Sequence, residues 1–166
     1  MKIQYRLARM EDLDKICTMV SRSVTNMHAH QIDQWDEIYP NRDVFEEDIQ
    51  KSQLYVGNIA DEIAVIYVLN QECDEDYQKA DWKYRTEPFY VIHRLCIDPK
   101  WQKQGIGKYT MQCIEEEVRK RGVFLIHMDT FTGNPFALRL YENAGYQKAG
   151  FVEWRKGRFV FLEKQL

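Results

Sequence analysis

Apolar residues recur along this chain with two different periods, and the alternation between them lays out a fold. Residues 2–9 alternate and predict a first strand. From Met10 the spacing becomes helical, with Leu13, Ile16, Cys17 and Val20 on one side and acids in the first turn that suit a helix N-terminus. The pattern breaks up over 26–41, where Met27, His28, His30, Trp35, Tyr39 and Pro40 are mixed with polar residues. Phe45 and Ile49, four apart, predict a short helix over 43–51. Two β-branched runs, 54–60 and 63–69, flank Asp61-Glu62 and predict an antiparallel hairpin. Residues 71–88, with four acids in the five positions 72–76, read as a long exposed and solvated connection with a little helix around 77–82.

The second half repeats the alternation more sharply. The run at 91–97 predicts a buried strand and 106–121 an amphipathic helix with Met111, Ile114 and Val118 on one side. Glu115/Arg119 and Glu116/Lys120 are read as solvent-side pairs, and Gly122 as the stop. A strand at 123–129 completes a right-handed βαβ unit. Asn134, Pro135 and Gly145 are the N-cap, first-position and C-terminal signals of a second short helix, on which Ala137, Tyr141 and Ala144 share a face. Runs at 146–155 and 158–163, joined through Lys156-Gly157, predict a closing hairpin. The predicted class is α/β with a mixed (α+β) sheet, in which antiparallel hairpins flank one parallel pair.

The candidate chemistry begins where the first strand of the βαβ unit turns into its helix. Gln102-Lys103-Gln104-Gly105-Ile106-Gly107 carries a strand through two glycines into a helix start, which exposes backbone N–H groups at the positive end of the helix dipole. Residues 99–112 contain Lys100, Lys103 and Lys108 and no acid, although the chain as a whole carries −3. An anion such as a phosphate or pyrophosphate is the expected occupant. A dinucleotide fingerprint would need glycine where Thr110 stands; a P-loop would need glycine at Gln102 and Ser or Thr at Tyr109. Taken alone, the two glycines are also compatible with a plain tight turn.

The segment Asn134 to Tyr146 adds the second half of a pattern. Together the two stretches resemble motifs A and B of the GCN5-related N-acetyltransferases, Gln/Arg-x-x-Gly-x-Gly/Ala followed by Asn-x-x-Ala-x-x-x-Tyr-x-x-x-Gly-Phe/Tyr. The resemblance implies a GNAT-like acyl-CoA N-acyltransferase fold, one domain over 1–166, with a splayed central parallel strand pair. It implies acetyl-CoA as donor and direct transfer to a primary amine, with no acyl-enzyme. The pyrophosphate would lie on backbone N–H groups of Gln102, Lys103, Gln104, Gly105, Ile106, Gly107 and Lys108, and the pantetheine arm along Leu95, Cys96 and Ile97. Asn134, Ala137 and Tyr141 complete the implied cofactor contacts, Asn134 being equally a helix cap. Tyr141 is the implied general acid toward the thiolate, against the plain reading of a core aromatic. His93 is the candidate base, against a structural histidine; no Glu occurs at 91–97. Trp35 and Tyr39 lie in the segment the resemblance assigns to the acceptor side, and either lines a pocket or anchors the loop.

Composition narrows what remains. With 166 residues, 45% hydrophobic and 13% aromatic, the chain has material for one sizeable core. Its mild acidity argues against nucleic-acid binding, and no apolar run suits a membrane span or a signal peptide. Cys17, Cys73, Cys96 and Cys113 form no Cys-x-x-Cys pair and are expected as free thiols in a reducing cytoplasm. His28 and His30 lack a third ligand, so no metal is expected, and His127 is read as structural. The aromatic terminal hairpin could pair with a second copy in a homodimer. The acceptor is a small-molecule or peptide amine of unstated identity. A non-catalytic acyl-CoA sensor on the same fold is the alternative reading.

Overall fold

The computed structural model describes residues 2–166. Numbered along the chain, the strands β1 (Gln4–Leu7), β2 (Leu54–Ile59), β3 (Glu62–Asn70), β4 (Tyr90–Ile97), β5 (Leu125–Phe131), β6 (Gln147–Trp154) and β7 (Gly157–Gln165) follow the hydrogen-bonded order β1-β2-β3-β4-β5-β7-β6. The chain divides into two units: residues up to Leu69 with His93–Ile106, and Asn70–Ile92 with Gly107–Leu166. Among the described residues no helix is long and apolar enough to cross a membrane.

In the first unit, β1 (Gln4–Leu7), β2 (Leu54–Ile59) and β3 (Glu62–Asn70) form an antiparallel meander. Ile59 pairs with Glu62, so the hairpin turns on Ala60-Asp61, one residue earlier than the sequence suggested. The helix α1 (Leu13–Ala29) follows a short 3-10 turn at Met10–Asp12 and runs beyond the expected break. Its Leu13, Ile16 and Val20 meet Phe45 and Ile49 of α2 (Arg42–Gln50) in one buried cluster. The Asn41 side chain caps α2, accepting from Val44 N at 3.1 Å.

The second unit holds the parallel pair. Residues Tyr90, Val91 and Ile92 of β4 (Tyr90–Ile97) pair with Ile126, His127 and Met128 of β5 (Leu125–Phe131). The parallel register ends there, whereas β5 stays paired with β7 (Gly157–Gln165) as far as Phe131↔Phe159. Between β4 and β5 runs α3 (Ile106–Lys120), ended by Gly122 at φ +74°. Then come α4 (Pro135–Asn143) and β6 (Gln147–Trp154), which pairs antiparallel with β7 through a bulge between Lys148 and Phe151. β6 ends the strand order and exposes Phe151.

Two stretches depart from what periodicity predicts. Glu115 is not a solvent-side residue: it is buried and both its oxygens accept from Lys164 Nζ at 2.8 Å. Residues 71–88 are not simply a solvated connection. A 3-10 turn at Glu75–Lys79 buries Tyr77, and Ala80 and Trp82 follow it into a cluster with Val91, Ala149 and Phe161. The segment is tied down by Asp81 N to Ala149 O at 2.7 Å and Trp154 Nε1 to Asp76 Oδ2 at 2.8 Å.

Candidate functional site

Strand β4 enters its second half with a local distortion. Arg94 has φ +50°, a conformation that costs a non-glycine residue of order 1–3 kcal/mol. A polar clamp offsets the strain. Arg94 Nε and Nη2 donate to Asp48 Oδ2 and Oδ1 at 2.9 and 2.6 Å, and Nη1 donates to the Tyr39 hydroxyl at 2.8 Å. The two charged side chains are only 14% and 7% exposed. Burial pushes the Asp48 carboxyl up, against the opposing hydrogen bond from Arg94. Around this kink His93, Leu95 and Ile97 are half-buried, while Cys96 sits in the helical core with its thiol pushed up by burial to about 12.

After β4 the chain is shaped by side chains that fold back on the backbone. The buried Asp98 accepts from Lys100 N at 2.9 Å and from Arg22 Nη2, fixing a 3-10 turn at Pro99–Trp101. Gln102 Nε2 donates to Ile97 O at 3.0 Å and Gln104 Nε2 to Lys100 O at 3.1 Å. Lys103 at φ +61° and Gly105 at φ +79° then lead into α3. A Cβ at Gly105 would meet no atom within 4 Å, so the approach there is open. A pyrophosphate fits such a turn, where a helix start meets an open glycine and basic side chains. One of the three lysines is partly committed: Lys100 Nζ lies 2.5 Å from Glu62 and 5.1 Å from the Trp101 ring centroid.

In the second unit α4 forms as its ends dictate. Asn134 Oδ1 accepts from Ala137 N at 3.1 Å, which makes Asn134 the N-cap. Gly145 takes φ +88° just past the helix, and its N–H donates to Glu142 O at 3.0 Å. Tyr141 is buried, with its ring edge-on to Tyr146 at 6.2 Å; Ala137 is half-buried.

The predicted site residues therefore fall in both units. His93, Leu95, Cys96, Ile97, Gln102, Lys103, Gln104, Gly105 and Ile106 belong to the first with Trp35 and Tyr39; Gly107, Lys108, Asn134, Ala137 and Tyr141 belong to the second. Trp35 is a core residue, packed in the cluster of α1 and α2 with its carbonyl 3.1 Å from His28 Nε2. Tyr39 is exposed and held by Arg94. His30 Nδ1 lies 2.8 Å from Asn26 O, and among the described residues no group of three or more His, Cys, Asp or Glu could hold a metal. His127 is stacked between Trp82 and Phe89, at centroid distances of 3.8 and 4.2 Å.

Among the polar pairs that periodicity does not reveal, one lies on β5. Tyr77 donates its phenolic hydrogen to Asp129 Oδ2 at 2.6 Å. The available signal was a lone acid in the otherwise apolar strand pattern at 123–129.

The family model described as Acetyltransferase (GNAT) family matches residues 24–146. Across 171 aligned residues the chain is 25% identical to S-(2-succino)cysteine N-acetyltransferase of Bacillus subtilis (strain 168), covering 100% of this chain and 98% of that protein. A GNAT family acetyltransferase from Streptococcus agalactiae 2603 shares its fold, with a TM-score of 0.88 at 21% identity over 99% of this chain and 95% of the other. PaiA N-acetyltransferase from Thermoplasma acidophilum, solved in complex with coenzyme A, gives a TM-score of 0.74 at 15% identity, covering 100% of both chains. These structures agree with the predicted fold class.

Proposed function

The chain belongs to the GNAT acetyltransferase family, and we propose that it moves an acetyl group from acetyl-CoA directly to a primary amine. The observation that carries the reading is the turn of residues 102–106 into α3, open at Gly105 and free of acids over 99–112. Backbone N–H groups of residues 102–108 take the pyrophosphate, and the backbone at 95–97 runs alongside the pantetheine arm as an added strand would. Acetyl-CoA supplies an activated acyl group and a thiolate leaving group.

Direct transfer is favoured by the state of the thiols. Burial is the first cause raising Cys17, Cys73, Cys96 and Cys113 above their ordinary value. None is poised as the thiolate that an acyl-enzyme would need. Tyr141 then gives the proton that the departing sulfur requires, and His93 takes a proton from the attacking nitrogen. On the acceptor side Tyr39 presents a hydroxyl oriented by Arg94, whereas the burial of Trp35 suits it to anchoring the loop. The Bacillus relative is an N-acetyltransferase of S-(2-succino)cysteine, which puts amino acids first among the acceptors to try.

The test has two stages. Acetyl-CoA and coenzyme A should raise the thermal midpoint while ATP and NAD leave it unchanged; the reverse pattern defeats the donor assignment. A panel of S-(2-succino)cysteine, free amino acids and short peptides, followed by thiol release, should then give turnover with at least one amine. Tyr141→Phe should cut that turnover by roughly 10²-fold while keeping acetyl-CoA affinity. Undiminished turnover at every pH removes Tyr141 from the chemistry.

A further inference from the structure

An alkylammonium acceptor must lose two protons to become an amide, and the residues assigned above provide one side chain, His93, to take them. We infer that Asp129, held in place by Tyr77, is the carboxylate that receives the acceptor's ammonium group and takes its first proton. This rests on the acetyltransferase reading and adds a residue to that site.

Asp129 stands at the first β5 position beyond the parallel register, which ends at Ile92↔Met128. The strand is still rigid there, because Asp129 pairs with Phe161 of β7 and the ladder continues to Phe131. Two residues earlier on the same face, His127 is fully buried, whereas Asp129 is half-exposed. The carboxylate thus marks the place where this face of β5 opens to solvent. A half-buried carboxylate in an apolar strand is costly to desolvate and needs a polar partner. Tyr77 provides it, at 2.6 Å to Oδ2.

Tyr77 is built to hold that partner still. It is 3% exposed, its ring packs edge-on to Phe161 at 4.9 Å and against Trp82 at 5.6 Å, and Trp82 Nε1 donates to its carbonyl at 2.7 Å. Burial, with the Asp129 charge beside it, pushes the phenol well above its ordinary value, so it remains a donor. A carboxylate oriented by a locked neighbour on a rigid strand is the arrangement that precise placement of a substrate charge requires. It also gives residues 71–88 a purpose beyond connection, since the segment carries the buried Tyr77.

The proton and bond changes balance. Asp129 takes one proton from the ammonium and returns it to water between turnovers. The free amine forms the C–N bond to the thioester carbon, and His93 takes the second nitrogen proton. As the C–S bond breaks, the sulfur takes a proton from Tyr141; His93 gives its proton to water, and Tyr141 regains one from water. One proton is released per acetyl group moved.

The variants to make are Asp129→Asn, Asp129→Glu and Tyr77→Phe, each measured for its acetyl-CoA thermal shift and for kcat and KM with the fastest acceptor of the amine panel. Asp129→Asn should keep the acetyl-CoA shift and lose roughly 10²-fold in kcat. Asp129→Glu should recover at least tenfold of that loss, which a purely structural defect would not allow. Tyr77→Phe should raise KM for the amine and lower kcat several-fold, leaving the acetyl-CoA shift intact. Wild-type kcat in Asp129→Asn, or equal loss in the Asn and Glu variants, overturns the assignment of Asp129. Absence of an acetyl-CoA shift or of turnover in the unmodified protein would instead overturn the acetyltransferase reading itself.

Discussion

His127 should make this fold sensitive to mild acid, and the size of the effect follows from its surroundings. The imidazole is 1% exposed and lies between the Trp82 and Phe89 rings, with no shell of water to stabilise a positive charge. Glu163 faces it from β7, Nε2 to Oε2 at 3.3 Å, but that carboxylate also accepts from Lys83 N at 2.6 Å. Desolvation outweighs the attraction and lowers His127 from 6.5 to about 4. The unfolded chain therefore binds a proton below pH 6.5 that the folded one refuses until about pH 4. The stability held by the neutral histidine is complete above pH 6.5 and is lost as the pH falls toward 4. At about 1.4 kcal/mol per pH unit the full loss is about 3 kcal/mol, of which about 2 is gone by pH 5. His127→Gln keeps a polar side chain beside Glu163 and removes the titration. Urea unfolding at pH 7.5, 6.5, 5.5 and 5.0 should show the unmodified protein losing about 2 kcal/mol more than His127→Gln over that range. Parallel pH slopes for the two proteins would refute the argument.

Two other perturbations probe the first unit. Asp48→Asn leaves the Arg94 guanidinium buried without its counter-charge, and equilibrium unfolding should show a loss of about 3–5 kcal/mol; a loss below about 1 kcal/mol would mean that the clamp does not hold the β4 kink. Gly105→Ala places a methyl in the open space over the turn at φ +79° and should cost about 1 kcal/mol of stability. Calorimetric titration should also show acetyl-CoA binding weakened by about tenfold, the equivalent of one lost contact of about 1.4 kcal/mol; unchanged affinity would move the pyrophosphate away from this turn.

What the sequence makes legible here is what local geometry decides. The helical spacing of Leu13, Ile16 and Val20 becomes a buried helix face, and the β-branched runs become β2 and β3. Asn134 caps α4 and Gly145 takes the left-handed conformation past its end, so the second motif is fixed by its own end signals. The departures share another cause. Arg94 and Asp48 are 46 positions apart, Glu115 and Lys164 are 49 apart, Tyr77 and Asp129 are 52 apart, and Lys83 and Glu163 are 80 apart. Each pair puts a carboxylate where periodicity alone would keep it solvated or leave it unexplained. Glu115 sits in a helix at a spacing that also suits a solvent-side ion pair with Arg119, and nothing within a few residues reveals that Lys164 is its partner. Tyr77 follows a run of acids that reads as solvated, and the partners Phe161 and Asp129, which give it a reason to turn inward, come from β7 and β5. A carboxylate whose partner arrives from far along the chain is therefore where sequence reasoning is weakest. Asp129 is such a residue, and the proposed chemistry needs a carboxylate of that kind.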